Sequence, residues 1–494
     1  MKKLAVLLFP IFLFHTSFSQ NGQDNNIIPA MHSISSHDLL EYVRIQCDER
    51  FEGRLTGTNE YMKSAEWLAS FFDECGLEPA GDNNSWFQYF DIAYTTIQPD
   101  CGLSLELPAG KNGIVEKHYE YITEYMPGST SGDGIITAEV IYAGYGITAP
   151  ELGYDDYKGI DVEGKIILIE PEAPVDPSAG AEKFTPWREH SFHQKKLHNA
   201  AEHGAAGMIY NYGPIANPNN AYVKDFIYVH VGDSVVRDIF SGTGKTHSEV
   251  KGEIREKLMP QSFATGKTVS IKMSTTHYPD GKGVNIIGLK KGIDPKLSKE
   301  TIIIGAHLDH LGKCYEIIPG ANDNASAVAV MMAVAKALND FDIELKRSVL
   351  FLSFGAEEQA LLGAKKYIDD PVRPLERSVL INMDGVGVGD KIGITAGNDF
   401  PQLYESFNKE NEKYIHRSLR PRSFSNLGRP RLDAAIFLSA GVPSLSFYTY
   451  GSRSYYHIPW DNMDYIKPEI MEDMAQLMLL SIIDLANTDK NIME

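Results

Sequence analysis

TIIIGAHLDHLGKCYEIIPGAND, residues 301–323, sets an apolar β-branched run directly against a cluster of imidazoles and carboxylates. Thr301 to Ala306 follows charged residues and reads as a buried strand. His307 and Asp309 come two residues apart at its carboxyl end, a spacing that puts both side chains on one face of an extended chain. Asp323 stands just before Asn324-Ala325-Ser326 and the Ala-rich run AVAVMMAVAKAL, which reads as a helix with Asp323 or Asn324 near its cap. A strand end and a helix start therefore aim His and Asp at one point. In open α/β sheets that point is the ligand crevice.

Downstream the alternation continues. RSVLFLSFGAEE is a strand delivering Glu357 and Glu358, followed by the helix LLGAKKYID. RSVLINMDG delivers Asp384 before Gly385, and AGVPSLSFYTY precedes a loop carrying Tyr455-Tyr456-His457. IKPEIMEDMAQLMLLSIIDLANT is a closing amphipathic helix. Alternating strands and helices require a mostly parallel, mixed sheet flanked by helices, so the fold class is α/β.

The residue types at the strand ends define a chemistry. Imidazole and carboxylate without thiolate suit Zn²⁺, or another borderline divalent ion, in a catalytic rather than a structural site. Two histidines and three carboxylates exceed what one catalytic zinc needs, but fit two ions about 3.5–4 Å apart sharing a bridging carboxylate. Adjacent residues in a tight turn diverge, so one of Glu357 and Glu358 can face metal while the other faces water as general base. Asp309 fits behind His307, orienting its ring. Taken singly, a His after a strand is usually structural and an acid pair usually solvated. Repetition in five successive loops is what favours a site.

The N-terminus, MKKLAVLLFPIFLFHTSFSQ, pairs two lysines with a short apolar core and small residues. It reads as a signal peptide over 1–19, cleaved near Ser19 or Gln20, and predicts a secreted or periplasmic protein. The run is well short of the ~20 residues a membrane anchor needs. A net charge of −20 argues against nucleic acid or anionic membrane as partner. Length, 494 residues, allows two to four domains. The four cysteines show no CxxC spacing, and export permits a bridge such as Cys47 to Cys75.

Residues 34–90 read as helix, Gly-rich loop, helix, and Arg54 in that loop is given no catalytic role. From about Gly128 short strands appear: TAEVIYAGYGI, YDDYKGIDVEGKIILIE and the helix-to-strand HNAAEHGAAGMIYNY. The spacings of His190, His193, His198 and His203 form no repeated ligand pair, so they read as packing or surface residues. The expected organisation is one α/β domain in two parts, 20–128 and 269–494, around an insert at 129–268.

GAHLDHLG, PGANDNASAV, GAEEQALLGAKKY, INMDGVG and YYHIPWDNMD resemble, in order and spacing, the motifs of the co-catalytic di-zinc aminopeptidase family. VIYAGYGI, YDDYKGIDVEGKIILIE and HNAAEHGAAGMIY are similar to a protease-associated domain. The first resemblance implies two Zn²⁺ per chain: His307 and Asp384 on one, Glu358 and His457 on the other, Asp323 bridging. It implies Glu357 as general base for a metal-activated water, Asp309 as the residue orienting His307, and Tyr456, or else Tyr455, at the oxyanion. The implied activity is a secreted aminopeptidase acting on peptide substrates. A carboxypeptidase or dipeptidase is the alternative, with Arg429, Arg431 or Arg453 pairing a substrate carboxylate. A non-catalytic binding protein is the alternative of another class, against which the intact Glu357 counts. The sequence departs from the family in Gln359-Ala360 after the acid pair, and in Ala434 where many members carry His. Asp433 reads as structural or pocket-forming.

Overall fold

Strands Thr301–His307, Ser348–Phe354 and Ser378–Met383 are buried at every position. That is why each reads as a continuous apolar run rather than an alternating one. Alternate residues serve opposite faces: Ile302, Ile304, Val349 and Phe351 join one core, and Ile303, Leu350 and Leu352 join another. A fully buried Ile or Leu side chain contributes about 1.5–3 kcal/mol, so both faces need a helical cover. Helices Ser36–Gln46, Asn59–Glu74, Ser326–Asp340 and Pro468–Asn487 cover the first face. Leu362–Asp369 and Asp433–Ser439 cover the second. The computed structural model describes residues 24–109, 113–219, 221–424 and 431–493. The signal peptide expected at 1–19 and Arg429 lie outside the described residues.

The sheet is mixed, with nine strands. Thr301–His307 runs parallel to both Ser348–Phe354 and Ser378–Met383, and Ser444–Tyr450 extends the parallel set beyond the latter. Thr275–Lys290 pairs antiparallel with Ser348–Phe354. Lys391–Thr395 lies antiparallel to Ser444–Tyr450.

A second, eight-stranded sheet is strung between two strands of the first. Phe87–Ile97 leads out and Thr275–Lys290 leads back, and the two pair antiparallel from Ile97↔Thr275 to Phe87↔Ile286. Everything between them, 98–274, belongs to the second sheet and its helices. This moves the module boundary from the expected 129–268. Gly102–Ala109, Gly113–His118 and Tyr125–Pro127, all before residue 128, pair within the second sheet. The texture change near Gly128 marks only where buried strands such as Ile166–Ile169 begin, whereas the earlier strands lie at the sheet's outer end or edges. Cys47 and Cys75 are free thiols, as are Cys101 and Cys314, so the permitted bridge is not formed. Among the described residues no helix is long and apolar enough to cross a membrane.

Candidate metal centre and active site

Four strand ends and one helix start converge at the carboxyl edge of the nine-stranded sheet. His307 is the last residue of its strand, and Asp309 lies just beyond it. Glu357 and Glu358 follow Ser348–Phe354, Asp384 follows Ser378–Met383, and His457 sits in the loop after Ser444–Tyr450. Asp323 lies near the helix start, as expected, without itself capping the helix. A single wide turn, Ala321–Ala325, precedes the helix; Asp323 has non-helical backbone angles there and Ala325 takes the cap position. The Asp323 carboxylate is thereby left to face the imidazoles.

Its two oxygens serve two different partners. Oδ1 lies 3.2 Å from His307 Nε2, and Oδ2 lies 3.4 Å from His457 Nε2. His307 Nε2 is also 3.7 Å from Asp384 Oδ1, and His457 Nε2 is 3.1 Å from Glu358 Oε2. Zinc bonds of about 2.0–2.1 Å in a tetrahedron give a ligand-to-ligand edge of about 3.3 Å, so these separations are those of donors around an ion. His457 Nε2 is buried and has no well-formed hydrogen bond, as a nitrogen shaped for a metal would be. Among the described residues no Lys or Arg pairs with Asp323, Glu357, Glu358, Asp384 or Asp433. The negative charge is answered only by imidazole, and the donor set fits divalent zinc.

The electrostatics follow. Burial opposes a proton on His307, yet the carboxylates of Asp309, Asp323 and Asp384 around its ring hold its pKa well above the usual value. Burial likewise opposes charge on His457, but Glu358 and Asp323 push it up to about 10. Glu358 is pulled down to about 2: burial alone would raise it, and the charge of His457 overcomes that. Glu357 goes the other way. Burial first, then the charges of Glu358, Asp433 and Asp384, raise its carboxyl well above the ordinary range. The adjacent acids therefore differ in the manner expected of a metal ligand and a proton acceptor.

The supporting contacts explain the local geometry. Asp309 accepts hydrogen bonds from the backbone N–H groups of Glu357 (3.1 Å) and Glu358 (3.2 Å), while His307 Nδ1 donates to the Asp309 carbonyl at 3.1 Å. Asp309 thus fixes the acid pair as well as the imidazole beside it. Ala356 takes a positive φ of 53° in the turn before the pair, and its N–H is held by Thr56 Oγ1 at 2.9 Å. Asn324 brackets Asp384, donating to the Met383 carbonyl and accepting from the Gly385 N–H. Arg54 is fully buried and donates to the carbonyls of Leu308, Gln46, Pro319 and Gly320, binding together the loops that carry His307 and Asp323.

Two residues were missed by sequence reasoning. Asp461 accepts from the N–H groups of Asn322 (2.9 Å) and Asp323 (3.0 Å), setting the loop that carries the Asp323 carboxylate. His310, fully buried, places Nδ1 2.9 Å from Glu358 Oε1 and forms with Asp323 and Glu358 a group able to hold an ion. Its proximity to His307 and Asp309 in HLDH was the available signal. Asp433 is buried, and neither of its carboxylate oxygens has a hydrogen-bond partner among the described residues.

A cleft of about 300 Å³ opens onto the acid pair. The catalytic half supplies Glu357, Glu358, Leu361, Tyr456 and His457, and the inserted module supplies Phe192, His193, Tyr212 and Asn217. Tyr456 lies face to face on the His457 ring, at 3.5 Å. Tyr455 turns away against Trp460 and Tyr465, so Tyr456 is the tyrosine at the cleft. Arg431 lines the wall but is paired with Glu172 of the module, and Arg453 lies over the Tyr455 ring. His190 pairs with Glu151 and His203 stacks on Tyr157, as packing histidines do; His193 bonds Tyr210 at the cleft wall.

Residues 285–482 match the profile described as Peptidase family M28. Aminopeptidase YwaD of Bacillus subtilis is 29% identical over 257 residues, covering 49% of this chain and 51% of that protein. Leucine aminopeptidase 2 of Trichophyton equinum is 32% identical over 242 residues, covering 45% of each. The chain thus spans about half the length of the curated relatives it matches. Among solved structures, an aminopeptidase from Aneurinibacillus sp. strain AM-1 superposes with TM-score 0.65 at 20% identity, covering 95% of this chain and 98% of that one. BSAP, a zinc aminopeptidase from Bacillus subtilis, gives 0.63 at 22% identity, covering 93% and 97%. At these identities the likeness is one of fold.

Proposed function

Since residues 285–482 belong to peptidase family M28, we propose that the protein is a zinc-dependent aminopeptidase that removes N-terminal residues from peptides. The observation that carries this reading is the Asp323 carboxylate, one oxygen turned to His307 and the other to His457. His307, Asp323 and Asp384 would hold one zinc ion, and Asp323, Glu358 and His457 the second. Zinc at these positions supplies Lewis acidity to the scissile carbonyl and to water.

The protein's own groups do the rest. Glu357, whose basicity is heightened by burial and by its acidic neighbours, takes a proton from the attacking water and delivers it to the leaving amine. Asp309 keeps Glu357 and Glu358 in register through their backbone N–H groups. Tyr456, open to the cleft, offers its hydroxyl to the oxyanion as charge develops. The surplus of carboxylates attracts a free α-ammonium group. Of the arginines that could take a substrate carboxylate, Arg431 has its charge answered by Glu172 and Arg453 lies over the Tyr455 ring, which favours the aminopeptidase over the carboxypeptidase reading. Export through the leader at 1–19, and a protease-associated role for the 98–274 module, belong to the same proposal.

The test is to measure bound metal in the purified protein and compare hydrolysis of a peptide with its N-acetylated form. Two zinc ions per chain, and activity lost on acetylation, are expected. Equal turnover of both peptides would remove the aminopeptidase assignment.

A further inference from the structure

The imidazole of His457 is held from outside its own domain. Its Nδ1–H donates to the carbonyl of Ala216, in the inserted module, at 2.9 Å, and the Ala216 N–H returns a bond to the His457 carbonyl at 3.0 Å. The two neighbours of Ala216 are anchored inside the module. His230 Nδ1–H donates to the Ile215 carbonyl at 2.8 Å, and the Asn217 N–H donates to Ser129 Oγ at 3.0 Å. His230 is fully buried on strand Ile227–Val231, among the rings of Tyr210, Tyr212 and Tyr228. Ala216 is buried in an apolar cluster with Leu311 and Ile318 of the catalytic half, so the seam is closed at this point. The contrast with His307 is direct, because His307 Nδ1 bonds the carbonyl of Asp309 two residues away.

A ligand imidazole binds metal well only when its other nitrogen is held by a fixed acceptor, which sets ring orientation and leaves the metal-facing nitrogen as donor. On that basis, and resting on the two-ion reading above, we propose that segment 215–217 of the inserted module is part of the metal centre, and that His230 is a positioning residue for His457. The module then controls occupancy of the second zinc position, in addition to forming a wall of the cleft.

The experiment uses the full chain. Zinc affinities are measured by chelator competition in the wild type, His230→Phe and His230→Asn, and the hydrogen-bonded imidazole proton of His457 is followed by NMR in metal-free protein, assigned by its absence in His457→Gln. Phe keeps the ring volume and loses the donor, whereas the Asn side-chain amide retains one. In His230→Phe one zinc should bind about 10- to 100-fold more weakly while the other is unchanged, and the His457 proton should lose its downfield position. His230→Asn should recover most of both. A bulk structural role for His230 would weaken both ions together. Unchanged affinities with a retained His457 proton in folded His230→Phe overturn the proposal. Should His230→Phe not fold, Ser129→Ala is read instead, with about a threefold to tenfold weakening of the same ion expected and no change overturning it. A wild type that binds no zinc overturns the metal reading and this proposal together, whereas zinc binding in the wild type with unchanged affinities in His230→Phe overturns this proposal alone.

Discussion

In the inserted sheet Glu170 is fully buried, with His247 Nε2 at 2.6 Å and Lys251 Nζ at 2.8 Å. At the carboxyl edge of the other sheet, Glu357, Asp384 and Asp433 lie where no lysine or arginine among the described residues pairs with any of them, although Lys365 and Arg431 line the cleft nearby. The consequences for their acidity are opposite. Burial alone would raise the Glu170 carboxyl, but His247 and Lys251 hold it below the ordinary range. Burial raises Asp384, with the charges of Asp323 and Glu358 adding to it, and burial raises Asp433 and Glu357 well above theirs. A buried charge that the protein compensates itself serves structure. A group of buried carboxylates left short of positive charge is shaped for a cation from outside.

This contrast can be broken by experiment. The largest effect belongs to metal removal: dialysis against a strong chelator should reduce peptide hydrolysis to background, and stoichiometric zinc should restore it. Activity that survives with no bound metal would mean the carboxylates are not a cation site. Next comes Glu357→Gln, expected to lower kcat by about 10²- to 10⁴-fold with zinc content unchanged by metal analysis; a loss of zinc in step with activity would make Glu357 a ligand instead.

On the structural side, Glu170→Gln removes the buried carboxylate that Lys251 and His247 contact and should cost about 3–5 kcal/mol of stability by urea unfolding. A change of only a few tenths would show that Glu170 is not compensated in the way its distances indicate.

The smallest effect is in pH. Burial lowers His230 from an ordinary 6.5 to about 4. The unfolded chain therefore takes up a proton near pH 6.5 that the folded protein refuses until about pH 4. Stability is fully present above pH 6.5 and falls as pH drops toward 4, by about 3 kcal/mol at most, since one pKa unit is about 1.4 kcal/mol. Melting curves of His230→Asn should lack this part of the acid slope; an identical slope would assign it to other groups.

Much of the catalytic half was legible in the chain. The strands that carry the site are largely buried on both faces, so their apolar runs stand out, and each ends on or is followed by a residue whose chemistry is visible by type. The inserted module was harder to bound because its first strands are short and partly exposed; Gly113–His118 is exposed along nearly its whole length. Arg54 was read as a loop-holding residue of no catalytic role. Its four acceptors are backbone carbonyls, three of them more than 250 positions away, and these have no side-chain signature. His310 and Asp461 were overlooked for a related reason, since one touches Glu358 and the other holds the Asp323 loop through contacts that only folding creates.

The sequence by itself determined the α/β alternation, the order of the strand ends and the set of imidazoles and carboxylates they carry, because period and residue type are local properties. Only the tertiary structure decided that Asp323 divides its two oxygens between two histidines, that the module begins at 98 rather than 129, and that His457 is steadied by a carbonyl 241 positions away. Such a carbonyl is the same on every residue. Its importance comes from position alone, and position is a property of the fold.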